Sequence, residues 1–223
     1  MPESRKILLI VFVGYWSVAC TSIPEVNTTS APEITAIRNY KDIMDMKNPL
    51  FVGYPKYNNF TVCHGNTCKY IVPMALSERE WDEIRDIFTP PAVSAVEERE
   101  KIRIAIGRFE SIIGYKTGTS IDKGENFPGL GQEGQMDCVD EATNTSVYLT
   151  LLQDQHLLRW HHVQQRTNRG IATLQVPHFT AVISDDESGS EYAVDSWFLD
   201  NGQPPYIVPL SAWKHGWRPH DIN

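Results

Sequence analysis

Residues 131–142 read Gly131-Gln132-Glu133-Gly134-Gln135-Met136-Asp137-Cys138-Val139-Asp140-Glu141-Ala142, a glycine-bearing loop running into an amphipathic segment from about Val139 to Leu158. This junction constrains the chain more than any other stretch. It places Cys138 at or just inside a helix N-terminus, where unpaired backbone N–H groups and the macrodipole favour thiolate over thiol. Two later pieces supply partners. His178 lies in the apolar-rich run 176–183, and Asp195 lies in the run 192–198. Nucleophile, base and orienting acid then come in the order Cys, His, Asp. Singly, each has a plainer reading: a small buried thiol, a satisfied strand histidine, an aspartate capping a turn. Their order and local context together carry the catalytic one. Asp137 and Asp140 flank the cysteine. As carboxylates they would raise its pKa, so they are expected to cap the helix and point away.

The chain has 223 residues, enough for one domain with a proper core. A net charge of −8 and the lack of a long basic run argue against nucleic acid as the main partner. Arg5 and Lys6 precede an apolar run, residues 7–13, and small residues up to Ala19-Cys20. This resembles a bacterial lipoprotein signal over residues 1–19, with Cys20 as the lipidated residue and Ser17 where leucine is usual. Residues 20–36, rich in Thr, Ser, Pro and Asn, read as a flexible tether. Residues 37–223 then form a single domain. The expected location is the bacterial cell envelope, facing the periplasm, with the membrane met only through the lipid.

Residues 60–72 read as a hairpin around Gly65-Asn66. In an exported protein Cys63 and Cys68 are expected to form a disulfide across it. A metal site using His64 is the alternative, but zinc would want a fourth ligand. Ser77 with Glu80 makes a capping box, followed by Trp81, Ile84, Ile87 and Phe88 at helical spacing and Pro90-Pro91 as a stop. Ser94 with Glu97 opens a second helix expected to end at Gly114. Residues 116–134 read as a long loop along one wall of a cleft. Adjacent His161 and His162 point apart on either a helix or a strand and are no ligand pair. Residues 204–210 read as an extended edge segment.

The set Cys138, His178, Asp195, with Met136-Asp137-Cys138-Val139-Asp140-Glu141-Ala142 and Ala193-Val194-Asp195-Ser196, resembles the transglutaminase-like cysteine hydrolases, a papain-like superfamily. The resemblance covers about Gly131 to Trp197. It implies an α+β fold with a papain-like core: the nucleophile helix packed on an antiparallel sheet, His178 and Asp195 on adjacent strands, and extra N-terminal helices. It also implies a thioacyl intermediate on an amide or peptide substrate, with no cofactor and no metal. Gln132, six residues before Cys138, occupies the place of the papain-type oxyanion glutamine, with Gln135 as a competitor. The expected function is a cell-envelope cysteine hydrolase. The alternatives are an amine-accepting transglutaminase and a non-catalytic envelope lipoprotein that uses the fold for binding or assembly.

Overall fold

The computed structural model describes residues 34–35, 54–129, 131–170 and 176–219. Strand β1 is Ile34–Thr35, β2 Phe60–His64 and β3 Tyr70–Met74; they form a three-stranded antiparallel sheet in the order β1-β3-β2. Helices α1 (Glu78–Ile87), α2 (Ala95–Thr117) and α3 (Cys138–Asp154) follow. A four-stranded antiparallel sheet, β4 (His161–Arg169), β5 (His178–Asp185), β6 (Glu191–Asp195) and β7 (Tyr206–Pro209), lies in sequential order, and the short α4 (Leu210–Lys214) comes after it. Helices with two antiparallel sheets agree with the expected α+β class. The expected signal, Cys20 and most of the expected tether lie outside the described residues. Ile34–Thr35, inside that tether stretch, pairs with β3.

The helix starts follow their caps. Ser77 accepts from the Glu80 N–H, and the Glu80 carboxylate takes the Ser77 N–H, completing the capping box. Ser94 caps α2, while the Glu97 carboxylate reaches one residue further back, to the Val93 N–H. The expected stop at Gly114 is corrected: α2 runs on to Thr117 and ends at Gly118, whose φ of 79° is left-handed. Gly114 serves packing instead. A Cβ there would meet Asn201 Oδ1 at 2.5 Å. A glycine costs a helix only about 1 kcal/mol, which α2 absorbs through its buried face.

Helix α3 is the hub. It is buried along nearly its whole length and packs on β2 of the small sheet, on β4, β5 and β6 of the large one, and on α2. Asn144 bonds both polar groups of Cys63, receiving its N–H at 2.7 Å and donating to its carbonyl at 2.8 Å, so α3 substitutes for a strand neighbour at β2. Phe109 of α2 stacks on Tyr148 of α3 at 4.7 Å and tilts against Trp81 of α1, joining the three helices in one apolar core. The edge segment is found as β7, which among the described residues pairs only with β6. His161 is buried against Glu98 and His162 faces out toward Asp186, so the two histidines do point apart.

Replacing Phe109 with Ala removes the ring shared by all three helices. The expected cost is about 3–5 kcal/mol, read as a lower urea midpoint with an unchanged slope.

Candidate active site

The start of α3 is built by carboxylates. Asp137 is the N-cap: its Oδ1 accepts the Val139 and Asp140 N–H groups, both at 3.0 Å. Asp140 reciprocates on the Asp137 N–H at 3.2 Å. This puts Cys138 at the first helical position. The Asp140 carboxylate also takes the Asn66 N–H at 2.8 Å and the Cys68 N–H at 2.6 Å, and Thr67 donates to Asp137 Oδ2 at 2.9 Å. The β2–β3 loop is thereby fastened to the helix end. Asn66, Thr67 and Cys68 all adopt positive φ, and the expected Cys63–Cys68 disulfide closes the loop with an S–S distance of 2.10 Å. One Asp140 oxygen and both sulfurs lie within 4.8 Å of one another. With the sulfurs joined and the carboxylate filled by N–H donors, this group is a staple, not a ligand set. His64 is turned to the Tyr70 ring.

His178 opens β5 and Asp195 closes β6. The register pairs Ala181 with Val194. One step further, Thr180 faces Asp195, and His178 lies diagonal to it on the same face of the sheet. His178 Nε2 and Asp195 Oδ2 are 2.7 Å apart, and Asp195 is 2 % exposed. The indole Nε1 of Trp213, on α4, donates to the same Asp195 oxygen at 2.7 Å. The His178 ring is walled by Trp197, Phe198 and Trp213 at centroid distances of 4.9, 5.3 and 5.5 Å. The link of Trp213 to Asp195 depends on a return of the chain that no local pattern encodes.

Cys138 and His178 line one open cavity of about 1280 Å³. The thiol is partly buried and contacts the Pro177 carbonyl at 3.9 Å. Among the described residues it makes no hydrogen bond to the His178 ring. Burial pushes the Cys138 thiol up to about 12, and the Asp137 charge adds to the effect. The Phe179 N–H works the other way. The expectation that the helix dipole makes a resting thiolate is therefore corrected: desolvation outweighs a dipole of about half a charge. Asp140 turns its carboxylate to the N–H groups of Asn66, Cys68 and Asp137, yet its charge also raises the thiol's pKa. Asp137 caps the helix, yet its charge still acts on the thiol.

The oxyanion assignment of Gln132 is also corrected. Two successive turns, Gln132 N–H to Gly129 O and Gln135 N–H to Gln132 O, carry Gln132 to the exposed outside of the loop. It does not line the cavity. Gln135 is no substitute, because its amide is held by Lys123 N–H, Asn126 Nδ2 and Ile121 O. Of the first four amides of α3, Asp137 takes those of Val139, Asp140 and Glu141. The Cys138 N–H has no acceptor among the described residues. From the long loop before the cysteine, only Phe127 among the described residues reaches the cavity.

Behind this site lies a buried carboxyl cluster. Ser196, next to Asp195, donates to Glu141 Oε2 at 2.6 Å, and its hydroxyl is 3.2 Å from that of Thr145. Glu141 bonds Asp122, which receives the Met136 N–H at 2.8 Å. Glu110 accepts from Gly202 N–H. Burial pushes Glu110 up to about 8, Asp122 to about 6, and Glu141 well above the usual carboxylate range.

The folded protein thus holds more protons here than the unfolded chain, whose carboxylates titrate near about 4. Stability is expected to fall as pH rises from about 5 to about 8. Urea midpoints at the two ends measure this, and Glu110→Gln is expected to flatten the slope. A rise across that window would show that the cluster is ionised in the fold.

No protein-family model matches the chain, and no curated protein or solved structure matches it.

Proposed function

We propose that this protein is a cysteine hydrolase of amide or peptide bonds with a papain-like, transglutaminase-like core. The observation that carries the reading is the 2.7 Å His178–Asp195 pair on the wall of the cavity that Cys138 also lines. The packing of α3 on the antiparallel β4–β7 sheet supports the finer fold assignment. The lipobox-like segment ending at Cys20 and the Cys63–Cys68 bond support an envelope setting.

Because His178 Nε2 is committed to Asp195, Nδ1 is the nitrogen left to take the thiol proton. Turning the Cys138 side chain from the Pro177 carbonyl toward that nitrogen gives a thiolate–imidazolium pair, with Asp195 stabilising the charged ring. The thiolate attacks the acyl carbon, and the Cys138 N–H at the positive end of α3 receives the developing oxyanion. The imidazolium then gives its proton to the leaving amine, and the C–N bond breaks to leave a thioester. Water, with His178 as base, releases the acid and restores the thiol. An amine in place of that water would make the enzyme a transglutaminase.

A second reading, a binding or assembly module on the same fold, draws on one observation: the resting thiol is held up to about 12 and faces a carbonyl.

Alkylation of Cys138 by iodoacetamide across pH, followed by intact mass, separates the two. The hydrolase reading expects labelling at pH 7 that slows by about 100-fold in His178→Ala, with a smaller slowing in Asp195→Asn. Equal rates in folded wild type and His178→Ala would establish the binding module. Trp213→Phe keeps an aromatic ring but removes the indole N–H from Asp195 Oδ2, the oxygen that His178 also meets. It is expected to slow labelling by several-fold, at a cost of about 1–3 kcal/mol in stability.

A further inference from the structure

The same cavity carries a charge pattern at odds with the rest of the chain. The protein is acidic, with a net charge of −8. Yet Arg169, Lys214 and Arg218 all line the cavity, and Asp137 is the one lining carboxylate among the described residues. The Asp137 oxygens are turned to N–H groups of α3 and to the Thr67 hydroxyl. Arg169 donates to the carbonyls of Trp213 and Trp217 at 2.6 and 2.9 Å, with its guanidinium 4.6 Å from the centre of the Trp213 ring. Lys214 is exposed, donates to Thr167 Oγ1 at 2.6 Å and to the Asn168 carbonyl, and makes no ion pair among the described residues. Glu191 acts on it only from beyond salt-bridge distance. Neutral oxygens hold the Lys214 ammonium in place and leave its charge in the field of the cavity.

Another stretch of the wall is apolar. Phe127 meets Trp197 edge-on at 5.0 Å, and Trp197 meets Phe198 at 5.4 Å. Exposed Val176 lies just before His178. His178 stands between the two groups, against Trp197 and Phe198 and also against Trp213, which the Arg169 guanidinium covers.

We propose that the cavity takes a peptide segment in which an acidic group sits beside an aromatic or branched apolar side chain, with Lys214 as the chief selector of the acidic group. As a statement about substrate it rests on the hydrolase reading; as a statement about the ligand of the cavity it stands alone. The carboxylate accepts from Lys214 and from the basic rim near the end of β4, while the apolar group enters the Phe127–Trp197–Phe198 wall. Charge complementarity at a concave, partly desolvated wall sets which acyl donor is held near Cys138.

Two pairs of probes test this on the full chain. Anilinonaphthalene sulfonate and N-phenyl-1-naphthylamine share an aromatic body, and only the first is an anion. Fluorescence titration is expected to show preference for the sulfonate. That preference falls by about threefold or more in Lys214→Met and in high salt, and returns in Lys214→Arg. Iodoacetate and iodoacetamide share a warhead and differ in charge in the same way. The ratio of their Cys138 labelling rates is expected to fall in Lys214→Met by a similar factor. Equal dye affinities, or a preference indifferent to Lys214, would overturn the proposal while leaving any His178-dependent labelling, and so the hydrolase, intact. A Lys214-dependent dye preference with a Cys138 indifferent to His178 would do the opposite: the acidic ligand stands, and the protein binds it without cleaving it.

Discussion

Three backbone N–H groups, from Asn66, Cys68 and Asp137, converge on the buried carboxylate of Asp140. On this convergence depends the placing of everything else at the site. It seals the start of α3 and closes the disulfide loop onto it. It also leaves the Cys138 N–H directed outward, with no other acceptor among the described residues. A carboxylate at a helix N-terminus is favoured by the macrodipole. Burial opposes it by pushing the acid well above its usual range, and the donors from two segments offset that cost. Were the loop or the cap absent, the other would be left with polar groups unpaired in the interior, so the two assemble together.

The electrostatics of Cys138 are a contest with a legible winner. The helix dipole and the Phe179 N–H favour thiolate. Burial and the charge of Asp137 favour thiol, and they prevail in the resting geometry. In the proposed hydrolase, reactivity hinges on whether the ring of His178 takes the proton. Asp195 fixes one nitrogen, Trp213 fixes Asp195, and three aromatic rings wall the imidazole.

Behind the pair, Ser196 ties Asp195's strand to α3 through Glu141, and Glu141 reaches Asp122 on the loop before Cys138. The cluster joins the three segments that bear or flank the site. Burial raises the pKa of each member, and a protonated carboxyl can donate as well as accept, which permits carboxyl groups to bond one another instead of repelling.

What could be read along the chain is what short-range chemistry dictates. The capping box at Ser77 and Glu80, the helix start at Cys138, and the Cys63–Cys68 pair all depend on residues within a few positions of one another. Each was legible for that reason. Gly114 misled because a glycine's cost to a helix is small beside the packing of α2, and the contact with Asn201 that employs it comes from the far end of the chain. Gln132 misled because spacing along the sequence does not record the two turns that swing it outward. The sequence by itself thus determined the residue types available for chemistry, their order, and the local elements that bear them. Tertiary structure decided their electrical state and their company. It buried Cys138 and so raised its pKa, brought Trp213 back to Asp195, and gathered Lys214, Arg169 and Arg218 from two segments onto one cavity. The division follows from range. Hydrogen bonds in caps and turns act between near neighbours in the chain. Desolvation and summed charge depend on every group that comes to lie nearby, wherever in the sequence it began.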